Sequence, residues 1–105
     1  MGTLPNISGK AAKSQLLISE HAFREMGEEF ITVDELAEAL SAPTLIEDYP
    51  DDTRGASCLV LGWTKSRQPL HLVVGWLSQP TLKIITVYRP DLAPNKWEAN
   101  WRKRR

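Results

Sequence analysis

One cysteine, Cys58, stands in the whole chain of 105 residues. That excludes an intramolecular disulfide and a cysteine-built zinc site. No stretch approaches the roughly 20 apolar residues of a membrane-crossing helix, and positions 1–13 lack the continuous apolar core of a secretory signal. A lone thiol without such a signal predicts a cytoplasmic chain in a reducing compartment, with no membrane partner. Cys58 lies in the run Cys58-Leu59-Val60-Leu61 and reads as a small buried hydrophobe. The motifs of common enzymes are missing as well: there is no GxGxxG, P-loop, HExxH or GxSxG. The two histidines, His21 and His71, come without cysteine pairs or a tight His/Asp cluster. No metal and no cofactor is expected.

Net charge is lacking too, but only in the sum. Residues 1–50 hold three Lys/Arg against nine Asp/Glu, and residues 51–105 hold ten against four, so the halves carry −6 and +6. Such polarity raises an anionic partner for the basic half, with the two halves facing each other as the plain alternative.

What is present fits one folded domain. The apolar content is 42% and the charged content 25%, ordinary values for a globular chain. Residues 1–13, with Gly2, Pro5, Asn6, Ser8 and Gly9, read as a disordered leader, and residues 14–105 as a single α+β domain. Leu16-Leu17-Ile18 leads in as a short strand or an early helical turn. A first helix begins after Ser19, which can accept from an open backbone N–H, and Phe23, Met26 and Phe30 form its apolar stripe. Gly27 marks its fraying end. Thr32 and Glu35 make a capping box for a second helix, with Val33, Leu36, Ala37 and Leu40 in helical period and Pro43 as its stop. Four strand patterns follow at 44–49, 57–63, 70–76 and 82–88, separated by the turn chemistry of residues 50–55, 64–69 and 77–80. Strands joined by short turns run antiparallel. Trp97 and Trp101, four apart, fit one face of a short terminal helix. The predicted architecture is two N-terminal helices on a twisted four-stranded antiparallel sheet, then that short helix.

Few residues could carry chemistry. Histidine titrates near neutrality, so His21 and His71 are candidate proton-transfer groups, against the plain reading of a helix-surface and a sheet-packed histidine. Alternation places His71 opposite Leu70, Leu72, Val74 and Trp76. Tyr88 could donate a proton to a leaving oxygen or stack on a base, or simply close its strand. The terminus Arg102-Lys103-Arg104-Arg105 beside Trp97 and Trp101 offers cations for phosphates and rings for bases.

A resemblance joins these pieces. Ser19-x-His21-Ala22, Met26, Ile31-Thr32, Ile46 through Asp52, Arg54-Gly55, Leu59 through Gly62, Pro69 through Val74, Ile84 through Tyr88, Pro90, Trp97-Glu98 and Arg102 through Arg105 together resemble the bacterial domain-of-unknown-function family 4258. That family looks like a distant member of the RelE/ParE-like toxin group, often encoded beside small antitoxins of zinc-finger type. The resemblance implies the toxin component of a bacterial type II toxin–antitoxin system, with a cognate antitoxin and RNA as partners. It implies metal-independent endoribonuclease chemistry, in which a 2′-hydroxyl attacks the adjacent phosphate. His21 and His71 would be base and acid, Tyr88 would assist, and Arg24, Arg67, Arg89, Arg102, Lys103, Arg104 and Arg105 would bind phosphates. The chain departs from the family's pattern at Glu25, Glu29 and Gln68, where relatives carry basic residues. The alternatives are a degraded descendant of such a nuclease, a non-catalytic protein-interaction module of the same fold, and a nucleic-acid-binding domain without cleavage.

Overall fold

The computed structural model describes residues 9, 16–51, 55–75, 81–92, 96 and 101. Most of the expected leader, Arg54, the turn at 77–80, Trp97 and the basic terminus Arg102–Arg105 lie outside the described residues. The order is β1 (Leu16–Ile18), α1 (Glu20–Glu29), α2 (Val33–Leu40), β2 (Thr44–Tyr49), β3 (Ser57–Trp63), β4 (Pro69–Gly75) and β5 (Leu82–Tyr88), closed by a 3-10 turn at Pro90–Leu92.

The predicted four-stranded antiparallel sheet is corrected on one point of substance. The sheet has five strands in the order β1-β5-β4-β3-β2 and is mixed, because β1 runs parallel to β5 with Leu16 opposite Leu82 and Ile18 opposite Ile84. A strand therefore precedes the two helices. The chain returns to β1 only after the rest of the domain has been laid down, which is the long connection a parallel pair requires. The class remains α+β.

Both helices start where the side chains dictate. Ser19 Oγ accepts from the Ala22 N–H at 3.0 Å and donates to the Ile85 carbonyl at 3.0 Å, so one hydroxyl caps α1 and ties it to β5. Thr32 and Glu35 complete both limbs of the capping box on α2. The helices cover one face of the sheet. There Ala22, Met26, Leu36 and Leu40 pack on Cys58, Val60, Leu72, Val74, Leu82, Ile84 and Val87. Gly62 lets α2 settle onto β3, since a Cβ at that position would fall on the backbone of Ala39. In β5 the register slips between Val73–Thr86 and Val74–Ile84, leaving Ile85 as an extra residue. That bulge rephases the strand, so Ile84 and Val87 both face the helices although they are three positions apart. The Cys58 thiol is fully buried among these side chains. Burial, reinforced by the Asp48 carboxylate on the neighbouring strand, pushes its pKa from 9.0 up to about 11. It stays neutral near physiological pH and is no nucleophile.

Candidate functional site

The second face of the sheet holds the one histidine placed for chemistry. His71 and Tyr88 stand opposite each other in the β4–β5 register. The phenol Oη lies 3.1 Å from His71 Nδ1, and the rings meet edge to face with centroids 5.3 Å apart. His71 Nε2 lies 2.6 Å from the Trp101 carbonyl, to which it donates, while Nδ1 faces the phenol. His71 is 0% exposed, and its strand neighbour Leu61 is buried on the same face. Both ring nitrogens thus have partners within the chain. Leu70, Leu72 and Val74 point to the helix side, opposite His71, as alternation along the strand predicts, while Trp76 lies outside the described residues.

His21 is held elsewhere. It is exposed on α1, with Nε2 3.4 Å from Glu25 Oε1, on the helix-covered side of the sheet, whereas His71 lies on the other face. The structure brings His71 and Tyr88 together and leaves His21 apart from both.

Two acidic residues of α1, Glu25 and Glu29, have a visible task. β1 covers only the first half of the outer edge of β5, so later N–H groups on that edge need acceptors. Glu25 Oε1 accepts from Val87 N at 3.0 Å and Glu29 Oε1 from Arg89 N at 2.6 Å. The spacing explains the match: four helical residues rise about 6 Å, and alternate strand residues are about 6.8 Å apart. The helix thereby supplies the acceptors that an edge strand would have supplied. Replacing Glu25 or Glu29 by arginine is expected to destabilise the domain by roughly 1.5 kcal/mol each, because a part-buried N–H on the β5 edge loses its acceptor. Glu25→Gln keeps an acceptor oxygen and should be nearly neutral. Urea unfolding of the three variants checks this, and unchanged midpoints for the arginine variants would refute the edge-capping role.

Arg89 is the most connected cation in the described structure. Its Nε donates to the Glu29 carbonyl at 3.0 Å, and Nη1 to Gln68 Oε1 at 3.0 Å. Nη2 donates to the Phe30 carbonyl at 2.9 Å and meets both Glu35 oxygens at 3.2 and 3.3 Å. A phosphate at Arg89 would have to displace these oxygens. Arg24 pairs with Glu20 at 3.8 Å on the exposed side of α1. Arg67 sits at the tip of the β3–β4 hairpin with φ 63°, exposed, and its N–H donates to the Thr64 carbonyl. The three cations are therefore dispersed rather than gathered around His71, and Arg102, Lys103, Arg104 and Arg105 lie outside the described residues.

The feature that residue-by-residue reading missed lies at the corner between α1 and α2. Phe23 and Phe30, two of the three residues in the apolar stripe of α1, are 69% and 84% exposed, and Val33 is 57% exposed. With Met26, Gly27 and Ile31 they line an open groove of about 460 Å³. The signal was present in the helical wheel: Ala22 and Met26 define one face, and Phe23, Gly27 and Phe30 fall about 100° round from it.

Among the described residues, no helix is long and apolar enough to cross a membrane, and no group of three or more His, Cys, Asp or Glu is placed to hold a metal ion. Fold and site together define an α+β protein with a mixed five-stranded sheet, a buried histidine in contact with a half-buried tyrosine on one face, and an apolar corner on the helix side. The chain belongs to the family described as "Domain of unknown function (DUF4258)", whose model matches residues 18–89. No curated protein and no solved structure matches it.

Proposed function

We propose that the domain is a cytoplasmic, non-catalytic protein-interaction module whose contact surface is the α1–α2 corner. The observation that carries this reading is the clustering of Phe23, Phe30 and Val33, all largely exposed, around one apolar groove. Grouped apolar side chains of this kind mark interaction sites, whereas scattered ones do not. The polar groups support the same reading. His71 is closed off by the Trp101 carbonyl, Arg89 is balanced by Glu35, and Glu25 and Glu29 serve the sheet edge.

A second reading keeps the toxin of a type II toxin–antitoxin pair, acting as a metal-independent endoribonuclease or descended from one. The meeting of His71 with Tyr88 favours it, since a histidine and a phenol in contact can share a proton in acid–base work. It requires the Trp101 carbonyl to leave His71 before RNA can approach.

One experiment separates the two. The chain is induced with and without His71→Gln and with Phe23→Ser/Phe30→Gly, while growth, transcript integrity and cross-linked partners are followed. The module reading expects intact transcripts in all three strains and a defined partner lost only with the phenylalanine variant. Transcript cleavage that disappears with His71→Gln would overturn it in favour of the nuclease.

A further inference from the structure

Two residues on the groove-bearing face are poor choices for the chain's own stability. Gly27 lies within α1, exposed, and a Cβ there would meet nothing within 4 Å. The fold does not ask for glycine at that point, and glycine within a helix is destabilising relative to alanine. Phe30 is the helix C-cap in the left-handed conformation, φ 55° and ψ 46°, a position that favours glycine or asparagine. Its ring is 84% exposed. Both choices weaken the isolated domain, and both fall on the same side of the same helix.

We propose that this face receives an amphipathic, lysine- or arginine-rich helix of another protein. The inference rests on the interaction-module reading and names the partner's chemistry. Phe23, Gly27 and Phe30 stand at i, i+4 and i+7, which makes two aromatic ridges with a notch between them. Their span of about 10 Å matches two turns of a helix laid alongside. Glycine in the notch admits a close approach that any side chain would block. An apolar helical face seated there follows the anchor pattern of helix-in-groove recognition.

The charge of the partner follows from the helical layer. From Glu20 to Leu40 there are seven carboxylates, with Arg24 as the one Lys or Arg. Glu25, Glu29, Glu35 and Glu38 accept hydrogen bonds from within the domain, and Glu20, Glu28 and Asp34 are exposed. Arg89 pairs with Glu35 and Arg24 with Glu20, which leaves five of the seven without an Arg or Lys partner in the described structure. The remaining field is negative around an apolar groove, so a partner with basic flanks is drawn in and an acidic one repelled.

The test uses three synthetic helical peptides of four to five turns, all with leucine at i, i+3, i+4 and i+7. The remaining positions are lysine in one and glutamate in the second, and the third is a scrambled form of the lysine peptide. Binding to the full chain is read by fluorescence anisotropy at several salt concentrations. The expected result is at least about tenfold tighter binding of the lysine peptide than of either control, weakening as salt rises. Gly27→Gln and Phe30→Gly should each abolish that binding while raising the Tm by roughly 4 °C. Loss of stability in those two variants would show that the face serves the chain's own fold, and would overturn the proposal. Equal binding of lysine and glutamate peptides would overturn the basic-partner inference and leave the interaction module standing. So would a concentration-dependent dimer, broken by Phe30→Gly, in a chain that ignores all three peptides. A chain that neither self-associates nor binds any peptide or cellular partner would sink both readings.

Discussion

Gly62→Ala is expected to destabilise the domain by about 3 kcal/mol, at the upper end of what one added methyl does in a packed core. The reason is what the methyl would meet. A Cβ on Gly62 would lie 2.5 Å from the Ala39 carbonyl carbon and 2.7 Å from its Cα. These are backbone atoms of a capped helix, and no side-chain rotation can move them. Relief would require α2 to lift off β3, opening the packing of Leu36, Ala39 and Leu40, which are all buried. The Lys65 N–H also bonds to Glu38 Oε1 at 2.9 Å, which pins α2 to the hairpin beyond Gly62 and opposes that movement. For a domain of this size the loss corresponds to a fall in Tm of roughly 15 °C. Ala39→Gly should not rescue the variant, because the clash is with the main chain. A Gly62→Ala protein that unfolds within about 0.5 kcal/mol of wild type would mean that α2 does not seat on β3 as described.

The same position shows why part of the fold was legible in the sequence and part was not. The strands from Thr44 to Tyr88 were readable because β-branched and aromatic runs alternate with turn residues at hairpin spacing, and each strand meets its sequence neighbour. The capping box at Thr32 and Glu35 was readable because both partners lie within one helical turn. Signals confined to a few residues survive in the sequence. Contacts across the fold do not. Three residues, Leu16 to Ile18, are too few to show a period, and their partner strand lies more than sixty residues away. The bulge at Ile85 depends on the neighbouring strand, not on residue 85 alone.

Of the apolar stripe Phe23, Met26 and Phe30, only Met26 is buried. Glu25 and Glu29 must face the open edge of β5, which turns Ala22 and Met26 inward and both phenylalanines outward. Hydrogen bonding to a distant strand therefore set the helix's orientation against the apparent apolar count. The candidate site followed the same division. His71 was assigned to the correct face by alternation, while its contact with Tyr88 depends on register and its contact with Trp101 on the path of the chain beyond β5.

Arg89 is the clearest case of a residue whose role no local pattern could reveal, and its removal should be as damaging as the methyl on Gly62. The family resemblance implies a phosphate ligand at this position. In the fold it replaces what α1 lacks, for the last turn of that helix carries no basic residue. Its guanidinium reaches the carbonyls of Glu29 and Phe30, where the helix dipole is negative, and pairs there with Glu35. Glu35 in turn accepts the Thr32 N–H at the start of α2. One side chain from the end of β5 thus joins the end of α1 to the beginning of α2, and Gln68 of the hairpin as well. Arg89→Ala leaves a largely buried carboxylate without its cation, and should destabilise the domain by about 3 kcal/mol. Arg89→Lys keeps the charge but loses the planar fork, so it should recover less than half of that. Glu35→Gln retains the capping oxygen while removing the charge. In a double-mutant cycle of Arg89→Met with Glu35→Gln, a coupling above about 1 kcal/mol is expected. If urea unfolding gives additive effects instead, Arg89 is not held by Glu35. Its anchors would then be the Glu29 and Phe30 carbonyls and Gln68, not the ion pair.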